Sequence, residues 1–476
     1  MKIVIIGNGI AGITAARWIR KLSDHDITVI SDEGDYFFSR TALMYIYMGH
    51  MRLQDTQPYE SWFWDKNRIN LIKGRVKTID FNTKNLSVRT SENSLQQTAY
   101  DKLIIATGSK SNKFGWKGQD LQGVHGLYHL QDLEAMERHS QGLKRAVVIG
   151  GGLIGIEMAE MFHSRHIPVT LLVRESSFWN NILPPEESAM VNRHIREQGI
   201  DLQLENELVE ILDENKDGKV DAIVPKKGEK IDCGFVGLTV GVSPNIDFLK
   251  NILLPTTSGC TISINKGIKV NEHLETNIPD VYAIGDCAEV ETPQQGRKPI
   301  EAVWYTGRMM GETVAHTICE KPVKYLPGIW FNSAKFFDIE YQVYGDIQAQ
   351  LPDNQQTIYW EHADGKKAIR ITFVPPAPKG GDSADNSPSG GGGAVVGFNL
   401  MGIRYRHEVC EKWIRDKTNV ETVLQNLGMA NFDPEFYIEY ENEIIKIYNT
   451  KTGKNLQLKT KRGLSAALKF LKQLTH

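Results

Sequence analysis

Two glycine-rich turns hold the residues of this sequence whose types and spacing point to chemistry. In Arg145 to Glu160, RAVVIGGGLIGIEMAE, Gly150, Gly152 and Gly155 form a GxGxxG frame between the apolar run Ala146 to Ile149 and a helical pattern. At such a turn the first glycine allows a tight reversal, the second lets backbone approach a pyrophosphate, and the third lets helix pack on strand. The N–H groups at the helix start, at Leu153 and Ile154, then face the anion. The frame recurs at the N-terminus, where Lys2 to Ile6 precedes Gly7-Asn8-Gly9-Ile10-Ala11-Gly12 and a helical stretch to Leu22. One glycine loop is weak evidence of a ligand. Two in one chain point to two dinucleotides.

Each turn needs strands around it. Ile27 to Ile30 reads as the second strand after the first turn and ends at Ser31-Asp32-Glu33. An acid about 20 residues past the last glycine accepts hydrogen bonds from an adenosine ribose, and Asp32 or Glu33 fits, with Glu33 ahead. The alternative is an ordinary acidic turn. Val169 to Val173 ends in Arg174-Glu175, a cation suited to an NADP 2′-phosphate beside a carboxylate suited to an NAD ribose. The glycine at the third motif position tilts this reading toward NADH. Tyr100 to Ser109, YDKLIIATGS, is a buried strand closing on Ala106-Thr107-Gly108, and Asn277 to Asp286, NIPDVYAIGD, sends another strand into Gly285-Asp286.

At 476 residues the chain is too long for one core and suits two or three domains. Its net charge of −3 gives no hint of nucleic acid. No apolar run approaches the roughly 18 residues of a spanning helix, and MKIVIIGNG is too short in apolar residues for a secretory segment, so the expected location is the cytoplasm. Cys233, Cys260, Cys287, Cys319 and Cys410 are far apart without a CxxC or a metal-type spacing. They read as reduced and structural, which leaves no iron–sulfur cluster and no redox disulfide among the expected cofactors.

GNGIAG, YDKLIIATGS, GGGLIGIE, Gly241 to Asn245 (GVSPN) and NIPDVYAIGD, in that order, resemble the two-dinucleotide-binding flavoproteins of the pyridine nucleotide-disulfide oxidoreductase superfamily. That superfamily includes rubredoxin and ferredoxin reductases, NADH oxidases, the flavin module of nitrite reductases and apoptosis-inducing factor. The resemblance covers about residues 1 to 345. It implies an α/β fold with two Rossmann-like dinucleotide-binding domains, the NAD(P)H domain inserted in the FAD domain, plus an α+β C-terminal domain. The implied segments are 1–112 and 255–325 for FAD, 113–254 for NAD(P)H and 326–476 for the C-terminal domain.

The resemblance further implies FAD as cofactor and NADH or NADPH as substrate. Gly7, Gly9, Ile10, Ala11, Gly12, Ala106, Thr107, Gly108 and Gly285 would lie along FAD, with Asp286 on its ribityl chain. Gly150, Gly152, Leu153, Ile154, Gly155 and Gly241 would hold NAD(P)H. Phe38 to Leu43 matches the segment along the flavin, which brings in Arg40 and Thr41. Met44-Tyr45 stands where ferredoxin reductases commonly carry Lys, and no cysteine precedes Cys233, against a thiol mechanism. Tyr45 and Tyr47 border the isoalloxazine or are ordinary packing. Glu157, the one candidate catalytic side chain, lies near the nicotinamide or simply answers the helix dipole. Trp304 stacks near the ring or fills core. The implied reaction passes hydride from NAD(P)H to FAD and electrons on to a ferredoxin, a rubredoxin or another iron–sulfur carrier protein. The alternatives are an NADH oxidase or quinone reductase, and a slowly turning NADH sensor. The C-terminal domain would close the flavin site or form a homodimer interface.

Other features read more plainly. Cys287 follows Asp286 but shows no sign of a lowered pKa. His163 and His166 lack an HExxH frame, so no metal is expected. The stretch 375–394, rich in Pro, Gly and Ser, reads as a disordered hairpin loop between strands Ala368 to Val374 and Ala394 to Met401, or as a partner tether. In the tail, Leu464, Ala467, Leu468, Leu471 and Leu474 share a helical face with Lys469 and Lys472 outside it. Such a helix docks on its own protein, or lies on a membrane or partner.

Overall fold

The computed structural model describes residues 1–252, 261–376, 393–432 and 438–459. The chain forms two compact units, Met1–Ser176 with Gln198–Gly328, and Ser177–Glu197 with Ile329–His476.

The first unit contains two parallel sheets. Lys2–Ile6 is central to the larger one, and four of its five residues are buried, as the unbroken KIVII run requires of a strand covered on both faces. The strand order is Val281–Ala283, Lys102–Ile105, Lys2–Ile6, Asp26–Ser31, Ile69–Asp80, Asn85–Thr90, Leu95–Ala99. The first five are parallel and the last two join as an antiparallel ribbon. Pairing of Val281 with Leu103 returns a distant segment to the first sheet. Helix Trp304–Ile318 completes that return against helix Ile10–Leu22, where a Cβ on Gly311 would press on the Ala11 carbonyl oxygen.

Between those segments lies the second sheet, ordered Asp201–Leu204, Val169–Val173, Ala146–Ile149, Phe235–Leu238, Val124–His125 and parallel throughout. Two sheets of this type, one inserted in the other, give the expected doubly dinucleotide-binding α/β architecture. Ser109–Ser111 and Val242–Pro244 pair antiparallel where the chain passes between them.

The second unit is an α+β domain. Its antiparallel sheet runs Phe331–Phe336, Ile339–Gly345, Ala394–Met401, Ala368–Val374, Gln356–Glu361. Helices His407–Arg415, Val420–Gln425 and Glu441–Thr452 contribute to a core with Trp360, Phe398 and Tyr448. Ser177–Glu197, expected within 113–254, packs in this unit instead. Buried Glu187 accepts from Arg370 Nε at 2.7 Å and from Asn399 Nδ2 at 3.1 Å, and removing one partner would strand a buried charge. No local pattern in 177–197 announces that pairing.

The expected boundary near Leu254, nearly all of the 375–394 loop and the tail stripe from Leu464 to Leu474 lie outside the described residues. Among the described residues no helix is long and apolar enough to cross a membrane.

Candidate functional site

The first glycine turn is built by close approach. Gly7 has φ +113°, a conformation that L side chains rarely adopt, and a Cβ there would overlap the Ala106 carbonyl oxygen. A Cβ on Gly12 would overlap the Gly7 carbonyl oxygen, so both glycines serve the packing of strand, turn and helix. Gly9 differs, because nothing lies within 4 Å of its Cβ position. Helix Ile10–Leu22 starts at Gly9 with no side-chain cap and no acidic residue in its first turn. Its N-terminal N–H groups are thereby left for an anion. Open space at Gly9 beside an uncapped helix start fits the pyrophosphate of FAD.

The turn opens on a cavity of about 640 Å³, within the range of cofactor sites. Gly7, Gly9, Ile10, Ala11, Asp32, Glu33, Arg40, Thr41, Ala106, Thr107, Gly108, Gly285, Asp286 and Trp304 all line it. At one end Glu33 receives both arms of Arg40, at 2.7 and 2.6 Å, and the Leu130 N–H at 2.9 Å. Burial pulls the Glu33 carboxyl upward, but hydrogen bonds from Arg40 and His129, the Arg40 charge and the Leu130 N–H outweigh it and hold it at about 2. Oε1 carries two of the three short bonds and Oε2 one, and Glu33 lines the cavity where a ribose hydroxyl would approach. Asp32 is more exposed and pairs with Arg75 at 2.7 Å.

Toward the other end, half-buried Asp286 sits in the turn Gly285–Cys287, and its Oδ2 accepts from Ser109 Oγ and from the Tyr128 hydroxyl, each at 3.0 Å. Burial pushes its carboxyl above the usual range despite those bonds. Tyr128 ties the two ends together. Its carbonyl accepts from Arg40 Nη1, its ring lies 4.6 Å from the Arg40 guanidinium carbon, and its hydroxyl accepts from the Ser109 N–H at 2.9 Å. Sequence reasoning missed Tyr128 and Ser109. Tyr128 belongs to no glycine frame, and the placement of 127–129 on the cavity wall brings it there.

The second turn repeats the construction. Gly150 has φ +122°, and a Cβ on it would press on the Thr239 carbonyl oxygen. A Cβ on Gly155 would overlap the Gly150 carbonyl oxygen, whereas the Gly152 position faces open space. Helix Leu153–Ser164 likewise begins with no side-chain cap and no acidic residue in its first turn. Beyond Val169–Val173, Arg174 Nη2 donates to Glu175 Oε1 at 2.8 Å, and Arg174 is 72% exposed. Of the residues expected around NAD(P)H, Ile154 and Glu157 line the large cavity. Gly241 has φ +90° and accepts from the Asn112 N–H at 3.1 Å, away from the cavity wall.

Several expectations need correction or refinement. Tyr47 is fully buried against Phe162 and Arg165, and Tyr45 stacks near His50, so the cavity meets Leu43 and Met44 instead. Trp304 is at the cavity and not in the core. Cys287 is fully buried, with its thiol directed at the Ile105 and Ile284 carbonyl oxygens, and burial raises its pKa. His166 lies past the end of the helix that carries His163, with φ +58°.

The family model of the pyridine nucleotide-disulphide oxidoreductases matches residues 1–311. An assimilatory nitrate reductase electron transfer subunit of Bacillus subtilis is 29% identical over 374 residues, 78% of this chain and 46% of that protein. The chain thus spans about half the length of that relative. An NADH oxidase of Methanocaldococcus jannaschii is 29% identical over 346 residues, 71% of this chain and 75% of that protein. In fold, the chain is similar to a ferredoxin reductase from Rhodopseudomonas palustris, with a TM-score of 0.70 and 22% identity over 84% of this chain and 91% of that one. It is also similar to a water-forming NADH oxidase from Lactobacillus brevis, with a TM-score of 0.75 and 19% identity over 95% of this chain and 99% of that one. With two glycine turns of one construction, a cavity lined from both the first turn and the helix of the second, and a family match over residues 1–311, this protein belongs to the pyridine nucleotide-disulphide oxidoreductase family.

Proposed function

We propose that this chain takes hydride from NADH, and less readily from NADPH, and delivers the electrons to a carrier protein such as a ferredoxin, a rubredoxin or another iron–sulfur protein. The observation that carries the reading is the shared cavity: Ile154 and Glu157, from the helix of the second turn, line the same space as Gly9, Asp286 and Trp304. When bound there, FAD supplies a ring that accepts hydride and releases electrons singly or in pairs.

The protein's part is to bind, orient and exclude water. Gly7 to Gly12 hold the FAD pyrophosphate, Glu33 the ribose and Asp286 the ribityl chain. Arg40, fixed by Glu33 and Tyr128, places a permanent positive charge in the same cavity. Gly150, Gly152, Leu153, Ile154 and Gly155 hold the NAD(P)H pyrophosphate. Glu175 accepts from the NADH ribose, while Arg174 is the residue that would meet a 2′-phosphate. Glu157 orients the nicotinamide end. No side chain has to serve as acid or base for hydride transfer. The segments 1–112 and 255–325 serve FAD, 113–254 serves NAD(P)H, and a location in the cytoplasm fits the absence of a spanning helix among the described residues.

The named relatives support a carrier acceptor and also an oxygen acceptor, since one is a nitrate reductase electron transfer subunit and another an NADH oxidase. Reduction of the FAD-loaded chain by NADH, followed by challenge with ferredoxin, rubredoxin, a quinone or air, tests the choice. Reoxidation by a carrier protein faster than by air is expected. Reoxidation in air as fast as steady turnover would reject the carrier.

A further inference from the structure

We infer that Arg165 is a positioning residue that sets the spacing between the flavin side and the nicotinamide side of the cavity, an inference that rests on the hydride-transfer reading above. Three elements run outward from the cavity. Leu43–Tyr47 starts with Leu43 and Met44 on its wall, Leu153–Ser164 starts with Ile154 and Glu157 there, and Leu130–His139 starts just after the lining residues Leu127, Tyr128 and His129. Their far ends meet on one guanidinium.

Arg165 directly follows helix Leu153–Ser164. Its Nε donates to the Tyr47 carbonyl oxygen at 3.0 Å, and Nη2 donates to the same oxygen. Nη1 and Nη2 also reach the two carboxylate oxygens of Glu137, on helix Leu130–His139, at 2.8 and 2.5 Å. The guanidinium carbon lies 3.5 Å from the Tyr47 ring centroid, and the Phe162 ring meets the Tyr47 ring edge-on at 5.9 Å. Ring and backbone carbonyl are thus the parts of Tyr47 that Arg165 engages most closely. Only a planar fork with several donors satisfies a carbonyl and a carboxylate at once while stacking on a ring.

The arrangement contributes more to placement than to stability. Arg165 and Glu137 are 33% and 41% exposed, and ion pairs this open to water contribute little to folding. Yet the helix from Leu153 is a rod of about 18 Å, and Leu43 is only one helical turn from Tyr47. Tying the far ends together therefore fixes the near ends, where a misplacement of roughly 1 Å can cost up to about 100-fold in rate.

The test compares Arg165→Met, Arg165→Lys and Tyr47→Phe with the wild type as full-length, FAD-loaded protein, by amide hydrogen exchange and by rapid mixing with NADH. Arg165→Met should speed exchange in Met44 to Met48 about 10-fold and lower the saturating rate of flavin reduction about 10-fold. FAD affinity and half-saturating NADH should stay within about 2-fold. Arg165→Lys should fall between, and Tyr47→Phe should match the wild type. Unchanged exchange in Arg165→Met overturns the inference, as does a rate loss that only follows lost FAD affinity or lost stability. If the wild type itself is not reduced by NADH or NADPH, the hydride-transfer reading fails, and the clamp is then judged on exchange alone.

Discussion

The two glycine turns share one backbone design and differ in what surrounds them. In each, the first and third glycines pack against carbonyl oxygens and the middle one faces open space at an uncapped helix start. The first turn leads into a cavity fixed by Glu33, Arg40, Tyr128 and Asp286. The second ends in Arg174 and Glu175, which pair near the surface. Depth and a wired polar lining suit a group that stays. Exposure and a loose ion pair suit one that comes and goes.

The sharpest way to break the parallel is at the packed glycines. Gly7→Ala and Gly150→Ala each place a Cβ against a carbonyl oxygen at positive φ, and each should destabilise its sheet by about 3 kcal/mol or more in urea unfolding. Wild-type stability in either variant would mean that the turns are not held as described.

The Glu33 anchor comes next. Its folded carboxyl, at about 2 against an ordinary 4.5, contributes stability that is complete above pH 4.5 and is lost as the pH falls toward 2. The shift corresponds to roughly 3 kcal/mol. Glu33→Gln should therefore be less stable at neutral pH and lose less on acidification, as read from urea midpoints between pH 7 and pH 3.

At the open glycines the two turns should separate cleanly. The Cβ of Gly9→Val meets no protein atom within 4 Å, so fold stability should hold while FAD binds about 100-fold more weakly, a change of about 2.7 kcal/mol. Gly152→Val should keep FAD and raise half-saturating NADH about 10-fold or more, checked by titration and rapid mixing. The smallest effect is expected at the surface pair. Glu175→Gln should shift preference toward NADPH by a few-fold, about 1 kcal/mol, and Arg174→Ala should shift it the other way in kcat/KM ratios.

Much of the cradle was legible because its requirements are local. Gly12 and Gly155 answer to carbonyl oxygens five residues back, the GxGxxG spacing marks Gly7 and Gly150 with them although those two press on Ala106 and Thr239 far along the chain, and the apolar runs beside them read as buried strands. Asp286 was legible only through resemblance, since a Gly-Asp turn is common. Tyr128, Ser109 and Arg165 were not legible, because each matters through a partner that is distant in sequence. Tyr47 misled for the same reason: a Tyr beside the flavin segment and a Tyr under Arg165 look alike until helix Leu153–Ser164 is in place. The pairing of Glu187 with Arg370, 183 residues apart, hid the attachment of Ser177–Glu197 to the C-terminal sheet in the same way.

The central claim is that the two turns serve one cavity, and anaerobic rapid mixing of the FAD-loaded chain with NADH tests it most directly. The oxidised-flavin absorbance should bleach within a turnover in the wild type, and at the same NADH concentration it should bleach far more slowly in Gly152→Val with FAD still bound. A wild-type protein that holds FAD yet is bleached by neither NADH nor NADPH would contradict the account.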